Sequence, residues 1–261
     1  VRKNLTLQLK EYETALEFVA NNIGFFELTL AKAALAVEYG CCLPEIYDLD
    51  SNKSIILNMA IEPEIAESLK KSNRSFTPVS IEVQNGVTLL TGANMGGKSV
   101  ALKTIALNVD LVRFGFMPFA QKMSLKIPEF VKVISGDLQN AAQGLSSFGA
   151  EIVELTDLLE KLEKSKGLAV CDELGRSTNP YEGSRFVQAL SDRLQSSSSY
   201  GIIATHYDGI KTEGAAYYQV AGLRAMLDEE AKNKTISCSN LNELMDYHLI
   251  KASETSIVPR E

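Results

Sequence analysis

The sequence predicts an α/β fold: a central, mostly parallel sheet with helices on both faces. Three observations carry that expectation. Short apolar runs of strand length recur at 54–61, 79–83, 87–91, 131–135, 168–172 and 200–205. Helical periodicity fills the gaps at about 99–113, 149–164 and 181–196. Strands alternating with helices are the pattern of a sheet joined by crossover helices, whose ligands gather at the carboxyl ends of the strands.

The elements follow in order. Residues 1 to about 45 read as helical, with Leu5, Leu9, Tyr12, Leu16 and Val19 on one stripe. Asn21-Asn22-Ile23-Gly24 reads as a break. A second helix then follows with Phe25, Leu28, Ala31, Leu35 and Tyr39, ended by Gly40 and followed by Pro44. The expectation is an N-terminal helical hairpin over 1–50, the root of a longer helical region, ahead of a main domain over 51–261. Glu62 to Ser75 is polar and charged and receives no element. The last third changes character: 216–227, 235–240 and 245–252 read as short antiparallel strands separated by polar turns such as Asp228-Glu229-Glu230.

Composition bounds the function. The chain has 261 residues, 45% hydrophobic and 23% charged, the profile of an ordinary globular protein. A net charge of −7 disfavours a broad nucleic-acid surface on this chain itself. The lysines at 122, 126 and 132, and at 161, 164 and 166, read as solvated faces. Cys41, Cys42, Cys171 and Cys238 form no C-x-x-C pair, so a reduced, cytoplasmic setting is expected. Cys171, in a very apolar run, is expected to behave as a small core residue. No apolar stretch reaches the length of a membrane span, and no secretory signal is visible. The chain opens on Val1, the expected mark of a piece of a longer protein.

The chemistry concentrates in three segments. Gly92-Ala93-Asn94-Met95-Gly96-Gly97-Lys98-Ser99 has the spacing G-x-x-x-x-G-K-[ST], with a strand before it and a helix from Val100 onward. Glycines let backbone N–H groups turn inward, and a helix start favours anions, so this segment is a phosphate cradle of the P-loop type. Lys98 is expected to reach the β- and γ-phosphates and Ser99 to ligate Mg²⁺. Leu168-Ala169-Val170-Cys171 ends in Asp172-Glu173. Asp172 is expected in the Mg²⁺ shell, directly or through water, and Glu173 as the general base that polarises the attacking water. Thr205-His206 ends the strand beginning at Tyr200, and His206 is placed to sense the γ-phosphate or orient the water. The loop Gly175-Arg176-Ser177-Thr178-Asn179-Pro180 follows the carboxylates and leads into a helix with Pro180 in its first turn. Ser147, at the head of the 149–164 helix, has the chemistry of an N-cap.

Together these segments resemble the ATPase domain of the MutS family of DNA mismatch repair proteins, which belongs to the ABC-type ATPases. The carrying residues are Thr91 to Ser99 with its Asn94-Met95, then Asp172-Glu173-Leu174-Gly175-Arg176-Ser177-Thr178, then Ala204-Thr205-His206-Tyr207. Ser146-Ser147-Phe148 followed by Glu151 is similar to the family's signature segment. The similarity covers about 76–252. It implies ATP and Mg²⁺ as cofactors, held by Gly92, Asn94, Met95, Gly96, Gly97, Lys98, Ser99 and Val100 with Asp172, and Glu173 and His206 as the catalytic pair. It also implies a homodimer in which Ser147 completes the partner's nucleotide site. Phe76 reads either as an adenine-stacking residue or as a strand-edge core residue. The chain departs from the family pattern at Ala93, where Pro is usual, at Ser177–Gly183, and at Gly149-Ala150, which suggests a divergent branch.

Two tasks fit this engine. The first is DNA mismatch recognition and repair, with mismatched duplex held by parts of the parent outside this chain. The second is reactivation of an adenosylcobalamin-dependent aminomutase, toward which the Asn179-Pro180-x-Glu182-Gly183 loop and the acidity lean. A nucleotide-binding module without turnover is disfavoured by the intact Lys98, Asp172, Glu173 and His206. A transporter ATPase is disfavoured by the missing Leu-Ser-Gly-Gly-Gln signature.

Overall fold

The computed structural model describes residues 2–48, 52–92, 97–135, 147–176, 178–223 and 245–252. It opens with a long helical run: α1 (Arg2–Leu9), a 3₁₀ turn (Lys10–Tyr12) and α2 (Glu13–Glu38). The expected hairpin is therefore corrected, because α2 passes straight through Asn21–Gly24. One glycine costs a helix only about 1 kcal/mol relative to alanine, and no proline stands there to remove a hydrogen bond. Asn22 adds a local bond, donating Nδ2 to the Phe18 carbonyl at 2.7 Å. Among the described residues, the contacts that anchor α2 lie at its far end. Lys32 donates to the carbonyls of Phe114 and Gly115 at 3.2 and 3.1 Å, and the Tyr39 ring meets Phe119 edge-on at 5.0 Å. Gly40 ends the helix as expected, with Cys41 N–H bonded to the Ala36 carbonyl at 2.9 Å.

Two sheets form the body. The first contains β1 (Glu45–Ile46), β2 (Ile55–Ala60), β3 (Val79–Val83) and β5 (Lys122–Leu125), in the order β1-β5-β2-β3. The second contains β4 (Gly86–Thr91), β6 (Val131–Ser135), β7 (Leu168–Asp172), β8 (Tyr200–Ala204), β9 (Ala216–Leu223) and β10 (Met245–Ala252), in the order β10-β9-β4-β8-β7-β6. Every neighbouring pair in the second sheet is parallel except β10 with β9. The expectation of antiparallel strands in the last third thus holds for β10. It holds equally for β9 against β10, and β9 in addition lies parallel to β4; segment 235–240 lies outside the described residues.

Side-chain alternation along the strands divides the core in two. Leu90, Val170 and Ile202 face α4 (Lys98–Arg113) and the first sheet, joined by Leu102, Ile105 and Val109. Leu89, Cys171 and Ile203 face the other way, toward Leu155 and Leu158 of α5 (Ser147–Lys164) and Val187, Leu190 and Leu194 of α6 (Pro180–Gln195). Burial on both faces is why these strands read as continuous apolar runs. Lys132 on β6 pins α5 through Glu154 and Asp157 at 2.5 and 2.8 Å, and hydrogen bonds from Lys132 and Lys161 hold the Asp157 carboxyl down at about 2. One helix escaped the sequence reading: α3 (Pro63–Lys71), started by Pro63 and capped by Glu62, whose carboxylate accepts the Ile65 N–H at 2.6 Å.

Cys171 is fully buried, as expected of a core residue, and its thiol is pushed up to about 12 by burial, with the Glu151 and Asp172 charges adding to it. It stays a neutral thiol in the native protein at any working pH. Alkylation followed by peptide mapping at pH 8 should therefore leave Cys171 unmodified until denaturant unfolds the domain. Native labelling at the rate of the half-buried Cys41 and Cys42 would contradict this packing.

Candidate functional site

Register brings three strand ends side by side. Leu90 of β4 pairs with Ala204 of β8, and Ala204 pairs with Asp172 of β7. Two bonds extend this alignment beyond the strands: Thr205 N–H reaches the Leu90 carbonyl at 3.1 Å, and Glu173 N–H reaches the Ala204 carbonyl at 3.0 Å. The predicted segments Gly92, Asp172-Glu173 and Thr205-His206 therefore share one edge, as parallel-sheet topology dictates.

The local backbone explains the glycines that frame this edge. Gly92 has φ +135°, and a Cβ there would lie 3.1 Å from the Val220 Cβ on β9. Gly97 is the N-cap of α4 with φ +83°, and a Cβ there would lie 2.9 Å from the Tyr247 ring. The N-cap is a glycine and brings no side-chain cap of its own, and a helix start carries first-turn N–H groups without intrahelical partners.

Lys98 follows at once and is only 4% exposed. Its Nζ donates to the Gly92 carbonyl at 3.0 Å and stands 3.6 Å from Glu173 Oε1. The other Glu173 oxygen stands 3.6 Å from Arg176 Nη1. Glu173 adopts φ +49°, a left-handed conformation that a long side chain rarely takes. Strain of this kind concentrates where a side chain must be aimed, and here the aim is toward Lys98. His206 is half-buried, its ring centroid 4.2 Å from that of Tyr207.

Beside the start of α4 opens a cavity of about 600 Å³, lined among others by Phe76, Gly97, Val100, Tyr247 and His248. That volume is in the range of small-molecule sites. Phe76, given two readings from the sequence, lies on the wall of this cavity. Tyr247 and His248 were not anticipated. They lie on β10, and His248 Nδ1 sits 2.5 Å from Asp246 Oδ1.

Oxygen donors for a metal are sparse. Ser99 is exposed in the first turn of α4, and Asp172 ends β7. Among the described residues no three His, Cys, Asp or Glu side chains cluster. Two hard oxygen donors match the chemistry of Mg²⁺, which completes its shell with water and phosphate oxygens. Asn94, Met95 and Gly96 lie outside the described residues. So does the side chain of Ser147, whose backbone starts α5. Among the described residues no helix is long and apolar enough to cross a membrane.

Residues 88–259 match the family model MutS domain V. The chain is 32% identical over 216 residues to Endonuclease MutS2 of Fusobacterium nucleatum, a match covering 79% of this chain and 26% of that protein. It is 31% identical over 208 residues to Endonuclease MutS2 of Thermus thermophilus, covering 79% and 26%. It is also 26% identical over 236 residues to that of Leuconostoc mesenteroides, covering 90% and 28%. The chain thus spans about a quarter of the length of the curated relatives it matches.

Proposed function

The chain belongs to the MutS family, and from that premise we propose that it is an ATP-binding and ATP-hydrolysing motor domain with an ABC-type P-loop fold. The observation that carries this reading is the buried Lys98, bonded to Gly92 and facing Glu173 where three strand ends meet. In this reading the phosphates of ATP lie over the start of α4, neutralised by Lys98 and the first-turn N–H groups. Ser99 and Asp172 would hold Mg²⁺, which when bound would supply further charge neutralisation at the phosphates. Glu173 accepts a proton from the water that attacks the γ-phosphorus, the bond to the β-phosphate oxygen breaks, and ADP and phosphate leave. His206 orients the water or senses the γ-phosphate. Adenine occupies the cavity beside α4, against Phe76.

At the level of the assembly, two such domains clamp around nucleotide as a homodimer, with Ser147 completing the partner's site, and hydrolysis releases them. The intact protein then acts on double-stranded DNA, most directly in mismatch recognition and repair. Similarity to proteins named Endonuclease MutS2 favours DNA over a protein partner. The net charge of −7 and the Asn179-Pro180-x-Glu182-Gly183 loop favour the second reading, reactivation of a cobalamin-dependent aminomutase. Titrating the intact protein against matched and mismatched duplex at one salt concentration, with and without ATP, separates the two. The expected result is tighter mismatch binding that ATP loosens. Equal, weak binding to both duplexes with ATPase activity intact would move the assignment to the protein-remodelling reading.

A further inference from the structure

Two side chains from distant parts of the chain grip the backbone of one residue behind the site. Glu151 on α5, only 1% exposed, accepts the Gly175 N–H at 2.5 Å. Tyr207, the residue after His206, donates its hydroxyl to the Gly175 carbonyl at 2.7 Å. The third side is closed by Gly183 of α6: a Cβ at Gly175 would lie 2.9 Å from the Gly183 Cα. A carboxylate removed from water is costly unless strongly bonded, and its bond to a backbone N–H is charge-assisted and directional. Apolar packing could have joined α5 to this loop without that desolvation.

The gripped residue stands two positions after Glu173. Glu173 is itself anchored on its other side by its N–H to the Ala204 carbonyl. Glu151 lies one helical turn beyond Ser147, where α5 starts. One peptide segment therefore joins the head of α5, the Glu173 loop and the His206 segment.

We propose that Glu151 and Tyr207 are positioning residues, which hold Gly175 and through it aim the Glu173 carboxylate, so that displacement of the head of α5 is transmitted to Glu173. This inference rests on Glu173 being the general base. A buried pair with a merely structural role would change stability and leave the chemical step alone. A positioning pair changes kcat with little change in KM for ATP.

The test is steady-state ATP hydrolysis, ATP affinity and melting temperature of the intact protein carrying Tyr207→Phe, Glu151→Ala, Glu151→Gln or Glu173→Gln. Tyr207→Phe removes one oxygen and keeps the ring beside His206, so it remains informative if Glu151→Ala does not fold. The expected result is a fall in kcat of about tenfold or more for Tyr207→Phe and Glu151→Ala, with KM within about twofold of the parent. Glu151→Gln, which keeps an acceptor for the Gly175 N–H, should recover most of the loss. The double variant Tyr207→Phe/Glu151→Ala should be scarcely worse than the poorer single, because both act on one residue. Parental kcat in Tyr207→Phe and Glu151→Ala, with Glu173→Gln inactive, would overturn the positioning inference alone. Parental turnover in Glu173→Gln would overturn the assignment of the base and the inference with it.

Discussion

Glu173→Gln is expected to bind ATP at least as tightly as the parent and to hydrolyse it about 10²–10⁴-fold more slowly, the span typical of a lost general base. The amide has nearly the shape of the carboxylate. It can keep the 3.6 Å approach to Lys98 and the left-handed backbone at 173, so the cradle stays assembled. What it lacks is a basic oxygen to take the proton of the attacking water. Binding should not suffer, because a carboxylate that faces Lys98 also faces any phosphate that Lys98 holds, and like charges at that range repel. The measurements are single-turnover hydrolysis and a fluorescent-nucleotide titration on the same preparation. Turnover close to the parent's would remove Glu173 from the role of base. Loss of binding together with turnover would mean that its charge serves to hold Lys98 in place instead.

How much of this was readable beforehand depended on whether the determining contacts were local. β3, β6 and β7 fall on their predicted residues because Val79–Val83, Val131–Ser135 and Leu168–Asp172 are short, β-branched or apolar, and bounded by polar segments. That Gly92, Asp172-Glu173 and Thr205-His206 lie side by side was legible because each stands at a strand end, and parallel topology brings those ends together. α2 was misread because Asn and Gly are weak breakers inside a long helix-forming run. α3 was missed although Pro63 marks its start and Ile65, Ala66 and Leu69 stand at helical spacing, because in a helix of 9 residues so short a stripe is outweighed by its charged neighbours. β5 could not be seen at all: four residues become a strand only by pairing with β2, some sixty positions earlier. The cavity wall shows the same limit. Tyr247 comes close to Gly97, and His248 lines the same cavity, because β10 pairs with β9 and β9 with β4, and no spacing rule links positions so far apart. Glu151 was visible as part of a signature segment. That its carboxylate ends on the Gly175 N–H is information carried only by the packing of α5 on the loop after β7.

Lys98→Ala should weaken ATP binding by about 10²–10³-fold, or about 3–4 kcal/mol. The size of the effect follows from burial. Lys98 is 4% exposed and already oriented by the Gly92 carbonyl, so little side-chain freedom remains to be lost when phosphate arrives. Its charge acts where water screens poorly. Without it the Glu173 carboxylate faces the phosphates with its nearest buried counter-charge gone. Lys98→Arg should rescue poorly, since a planar guanidinium needs more room than an ammonium and cannot be seated as a point charge beside Gly92. The nucleotide-free protein should respond differently. Burying a cation carries a desolvation cost, and the alanine variant sheds it, so its own melting temperature should move far less than its response to ligand. A ligand at a hundred times its Kd stabilises the folded state by about 2.7 kcal/mol, and a variant that binds a hundredfold more weakly loses most of that. Thermal melts of parent and variant with and without Mg-ATP read both quantities at once. If Lys98→Ala kept the parent's nucleotide-induced rise in melting temperature, the phosphates could not lie over the start of α4, and the site would have to be sought elsewhere.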